Sequence, residues 1–162
     1  MPIKVNSNGK VITKEGKISC ECCELFEMRI LYDWSGTNQI DLDTGTTAFG
    51  ATVGYACGSG NQYIAWISGD DTSQNGFESV DVRVDAAKAD GLWTSSYNIS
   101  CAAGWYEPVG GSGSYTLRVT YKGDTKSLLS SAGSQDDCAT YPSRTVTVYS
   151  SQQSDGTYFE IL

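Results

Sequence analysis

The chain has no histidine among its 162 residues. That excludes histidine-based catalytic triads, histidine zinc ligands and the commonest general base at neutral pH. Proline is scarce, at three, so glycine, at 18, supplies the turns. Basic residues are few: 11 Lys and Arg stand against 19 Asp and Glu, a net charge of −8. A non-specific nucleic-acid binder needs a positive footprint, so that role is disfavoured. No apolar run approaches the roughly 20 residues that span a bilayer, so no membrane insertion is expected. The opening Met1–Asn6 stretch lacks the apolar segment and small-residue cleavage site of a secretory signal. Retention in a cytosol, a mature form, or release by lysis as with virion proteins each fits. What is present is a globular composition, 40% hydrophobic and 19% charged, and enough chain for one domain with a core.

From about residue 24 the chain alternates apolar and polar residues. Phe26, Met28, Ile30, Tyr32 and Trp34 interleave with Glu27, Arg29, Leu31 and Asp33. That period of two marks a strand with one buried face. It recurs at Thr47-Phe49-Ala51-Val53-Tyr55-Cys57, at Val80-Val82-Val84 and at Tyr115-Leu117-Val119-Tyr121. Shorter candidates are 63–68, 97–103, 145–149 and 158–162. Only Val84–Asp90 suits a helix, of at most two turns before Gly91. The expectation is an all-β, jelly-roll-like antiparallel sandwich of about eight to ten strands over residues 24–162. Residues 1–23 read as an extended arm. Short β-prone pieces there alternate with Asn8-Gly9 and Glu15-Gly16 turns, and Lys4, Lys10, Lys14 and Lys17 make it basic beside an acidic body. Pieces that short gain stability by adding to a neighbour's sheet edge, so assembly as a homo-oligomer or with other subunits is expected.

Six cysteines, Cys20, Cys22, Cys23, Cys57, Cys101 and Cys138, are candidates for disulfides or, at the Cys20-x-Cys22-Cys23 cluster, for a metal. Adjacent Cys22 and Cys23 are poorly placed to bond each other. A metal there lacks a second Cys-x-x-Cys pair and any histidine.

The most specific signal lies in two acidic segments. In Asp41-Leu42-Asp43 both carboxylates share one strand face while Leu42 points inward. Gly69-Asp70-Asp71-Thr72 is a turn with two more carboxylates, and Glu78 follows Gly76 ahead of the Val80 strand. Carboxylates brought together repel, and a hard divalent cation with six to eight oxygen ligands relieves that. Solvated turn-capping acids are the plainer reading. The order Trp34…Asp41-Leu42-Asp43, then Ser68-Gly69-Asp70-Asp71-Thr72-Ser73…Gly76…Glu78-Ser79-Val80, resembles the TerD family of calcium-binding β-sandwiches over residues 28–90. The resemblance implies calcium and a ligand role for Asp41, Asp43, Asp70, Asp71 and Glu78. It departs at the single Glu78 after Phe77, where the family has an acidic pair, and the C-terminal half is not recognisable. The arm's Gly-Lys-Val-Ile…Gly-Lys-Ile-x-Cys-x-Cys-Cys run resembles openings of uncharacterised bacteriophage structural proteins.

Three functional classes compete. A structural or attachment subunit of a phage virion or extracellular assembly fits the sandwich, the arm, the cysteines and the acidic turns. A carbohydrate-binding or adhesion module, with a cell-surface glycan as partner, would stack sugars on Trp93, Trp105 and Tyr106, whose plainer role is packing. A glycoside-processing enzyme would pair Asp41 with Glu78, or Asp136 with Asp137, but nothing around them marks a catalytic site. The non-enzymatic subunit is the expected function. Asn98-Ile99-Ser100 is a glycosylation acceptor if the chain meets a eukaryotic secretory pathway.

Overall fold

The structure, a computed structural model, describes residues 27–106, 113–135, 138–139 and 142–162, with three short strand segments ahead of them. Those three, β1 (Lys4–Val5), β2 (Val11–Ile12) and β3 (Ile18–Ser19), pair antiparallel in the order β1-β2-β3 as a sheet of their own. The body follows with β4 (Met28–Asp33), β5 (Leu42–Ala48), β6 (Ala51–Gly54), β7 (Gly58–Ser59), β8 (Ile64–Trp66) and β9 (Phe77–Val82). Then come the helix α1 (Val84–Ala89), β10 (Ser96–Tyr106), β11 (Gly113–Tyr121), β12 (Asp124–Ala132), β13 (Ser134–Gln135), β14 (Pro142–Tyr149) and β15 (Phe159–Ile161).

These strands make a sandwich. One sheet runs β12-β11-β4-β9-β8 and the other β15-β14-β10-β5-β6-β7, with the short β13 beside β10. All ladders are antiparallel except the two-residue β10–β13 pair. The alternation read from the sequence sets the faces. Met28, Ile30 and Tyr32 of β4, and Tyr115, Leu117, Val119 and Tyr121 of β11, are buried, while the residues between them are half-exposed. Opposite them lie Ile99, Cys101, Ala103 and Trp105 of β10, Val146 and Val148 of β14, and Phe159 of β15. Burying each large side chain contributes about 1.5–3 kcal/mol. Trp34 and Trp105 meet edge to face at 6.4 Å and close one end of this core. Strands beyond the expected eight to ten are mostly two or three residues long, too short to display a period.

One expected strand divides. The run Thr47–Cys57 is broken by a tight turn at Phe49 and Gly50, both with positive φ (49° and 78°), between β5 and β6. A two-residue hairpin with both central residues left-handed matches the strand twist, and glycine takes such a conformation freely. The polar–apolar alternation continues through the turn, which hid it.

The helix forms where expected and stops at Gly91 (φ 80°). Its first N–H groups are capped from outside: the Glu27 carboxylate accepts from the amides of Asp85 and Ala86. No helix among the described residues is long and apolar enough to cross a membrane.

Cys57 and Cys138 are joined by a disulfide across 81 residues. Closing a loop of that length in the unfolded chain is worth about 4.5 kcal/mol on the chain-entropy account. Cys101 is buried and stays a thiol, pushed up to about 12 by its burial. Cys20, Cys22 and Cys23 lie outside the described residues, as do Asp136 and Asp137.

Candidate metal centre

Three of the five expected ligands converge. Asp41, Asp43 and Asp70 each place a carboxylate oxygen so that all three lie within 4.8 Å of one another. Oxygens on opposite sides of one calcium ion are about 5 Å apart, given Ca–O distances of 2.3–2.6 Å. The donor set is all oxygen, which suits a hard cation best. A pocket of about 160 Å³ opens there, lined by the same three aspartates with Tyr55, Thr72 and Tyr106.

Each aspartate is held by its own backbone. Leu42 is fully buried, so strand alternation turns Asp43 to the opposite face of β5. Its directly opposed neighbour on β10 is Gly104, which brings no side chain to compete for that space. Asp41, just ahead of β5, adopts a left-handed φ of 62°, and its carbonyl accepts from the amide of Tyr106 at 3.0 Å. Asp70 follows Gly69, whose φ of 73° is one that glycine takes without strain. The Ser35–Ile40 and Asp71–Gly76 loops are laced together: Asn75 donates to the Gln39 carbonyl, and the Asn38 amide donates to Asn75 Oδ1.

The electrostatics match crowded carboxylates. Asp43 is 2% exposed and Asp41 9%. Burial, then the charges of Asp70 and Asp71, raise Asp41 from its ordinary value. Burial, then Asp71, raises Asp70 likewise.

The other two expected ligands have different work. Both oxygens of Asp71 serve its own loop: Oδ1 accepts from the Ser73 amide and hydroxyl, and Oδ2 accepts from the Phe77 amide at 2.9 Å. Burial would raise Asp71, but these hydrogen bonds outweigh it and hold it below its ordinary value. Gly76 makes that arrangement fit, because a Cβ there would sit 2.5 Å from Asp71 Oδ2 and 2.7 Å from the Trp34 ring. Glu78 is fully buried on the inward face of β9. Burial is the main cause that pushes it up to about 8, with the charges of Asp70 and Asp43 adding. It lies beside the cluster but outside the convergent set.

Two of the three rings proposed for sugar stacking are core residues. Trp105 is completely buried and donates its indole N–H to the Gly113 carbonyl. Trp93 is 6% exposed and donates to the Val84 carbonyl. Neither face is open to a ligand. Tyr106, the next residue along β10, is half-buried and lines the acidic pocket. Tyr55, which the sequence showed only as part of a strand alternation, also lines the pocket.

No family model, curated protein or solved structure matches this chain.

Proposed function

We propose that the chain is a non-enzymatic structural or attachment subunit of a virion or other extracellular assembly, and that calcium bound by Asp41, Asp43 and Asp70 staples its sandwich. The convergence of three carboxylates from two distant segments, two of them almost wholly buried, carries this reading. Such a cluster is self-repelling without a cation and favourable with one. The resemblance of residues 28–90 to TerD-type sandwiches supports calcium among the hard cations. Thr72, on the pocket wall, is placed to add an oxygen. The basic, β-prone residues 1–23 supply the assembly element, which docks on the more acidic body of a neighbouring copy.

Two experiments test the two halves. Calorimetric titration of chelator-treated protein with calcium should show one site, lost in Asp70→Ala; absence of binding rejects the staple. Deleting residues 1–19 should lower the mass measured by light scattering while leaving the melt of the sandwich in place. A full-length chain that is already monomeric rejects the assembly role.

One observation favours a second reading. Tyr55 and Tyr106 line the same pocket as the acidic cluster, so a bound cation could share its open positions with vicinal hydroxyls of a glycan stacked on a tyrosine ring. Calcium-dependent retention on a glycan array, lost in Tyr106→Ala, separates this adhesion role from a purely structural one.

A further inference from the structure

We infer that the Cys57–Cys138 disulfide is a redox-sensitive clamp on the wall of the acidic pocket, so that reducing it loosens the pocket and weakens its hold on a cation. This rests on the metal reading above and adds its regulation.

The disulfide ties together two pieces of chain that both border the site. Tyr55, two residues before Cys57, lines the pocket, and its carbonyl accepts from the Cys138 amide at 3.0 Å. On the other side of the bridge, Ala139 lies against Gly45, two residues past Asp43. A Cβ on Gly45 would fall 1.8 Å from the Ala139 carbonyl oxygen. The segment 138–139 thus lies against β5 at Gly45, and among the described residues the bridge is its covalent link to the chain between β6 and β7. Both sulfur-bearing residues are partly exposed, so a small reductant can reach them.

The chemistry balances with a dithiol as reductant. Its first thiolate attacks one sulfur of the bridge, forms a mixed disulfide and releases the other cysteine as thiolate. Its second thiolate then closes the reagent into its own disulfide and releases the second cysteine. Two electrons pass to the protein, and each cysteine takes up a proton. The Tyr55 wall and the 138–139 segment are then held by hydrogen bonding and packing alone. Calcium suits the test because, as a hard ion, it ignores the thiols that reduction creates.

The experiment compares full-length oxidised protein, the same protein reduced with dithiothreitol, and the Cys57→Ser, Cys138→Ser double variant. Hydrogen exchange is measured in calcium-free buffer at the amides of Cys138 and Tyr106, with β11 amides as the control, and calcium affinity is measured by calorimetry. The expected result is faster exchange at Cys138 and Tyr106, unchanged exchange in β11, and calcium affinity about five-fold weaker or more, the low end of ordinary allosteric coupling. Reduced wild-type protein carries the test if the double variant fails to fold. Unchanged exchange on reduction overturns the clamp. Loosened exchange with unchanged calcium affinity overturns the regulation. No calcium binding by the oxidised protein overturns the metal reading and the regulation with it, whatever the exchange shows.

Discussion

The hydroxyl of Thr44 on β5 donates to the carboxylate of Glu78 on β9, a hydrogen bond between the two sheets at the base of the acidic cluster. It gives a buried acid a partner and explains why a charged residue type occupies an inward position of β9.

Glu78 makes stability pH-dependent in the calcium-free protein. Its folded value is raised from 4.5 to about 8, so the folded state holds this proton more tightly than the unfolded chain does. Its contribution is therefore fully present below about pH 4.5 and is lost as pH rises through about 8. Each pH unit of separation is worth about 1.4 kcal/mol. Asp41 and Asp70, also raised, act in the same direction. The melting temperature of chelated protein should fall between pH 5 and 8, and Glu78→Gln should flatten most of that slope. A melt that rises over this range, or a variant with the wild-type slope, contradicts the assignment.

Gly45→Ala should destabilise the fold without touching any polar group. The added methyl meets a backbone carbonyl at 1.8 Å, so either β5 or residues 138–139 must move. Overpacking of this kind costs about 1–3 kcal/mol. Denaturant unfolding of the variant checks it, and a midpoint equal to wild type would show that residues 138–139 do not lie on β5.

Neighbouring β10 aromatics should behave in opposite ways. Trp105→Ala removes a fully buried ring and should cost about 3–5 kcal/mol. Tyr106→Ala, at the half-buried pocket rim, should cost about 1 kcal/mol. Equal losses in thermal melts would mean that the register of β10 is wrong.

The same pair shows what the sequence made legible. Ile99, Cys101 and Ala103 alternate with polar or small residues over the expected 97–103 strand, but β10 runs on to Tyr106, and it is this extension that turns Trp105 inward. Packing was the plainer reading of this ring, and sugar stacking the alternative; its burial bears out the packing. Asp41, Asp43 and Asp70 were readable as one cluster from their spacing, but only Asp43 sits on the strand as expected; Asp41 precedes it with a left-handed φ of 62° and is aimed by that turn instead. Asp71 was not separable from them. Its role is set by amides of Ser73 and Phe77 that fold back onto it, and residue spacing carries no trace of those hydrogen bonds. Glu78 was placed beside the site, but its depth follows from sheet pairing with Tyr32 on β4. Tyr55 reaches the pocket wall near the 57–138 bridge, a pairing that cysteine spacing leaves open among fifteen connectivities.

A calcium staple should show itself in the thermal melt of the full-length protein, taken in excess calcium and in excess EDTA at pH 7.5 alongside Asp70→Ala. At calcium 100-fold above its dissociation constant the linkage is worth about 2.7 kcal/mol, which is roughly 5–10 °C for a chain of this size. The wild type should show that shift, and Asp70→Ala little or none of it. A wild-type melt that is the same in calcium and EDTA would contradict the staple.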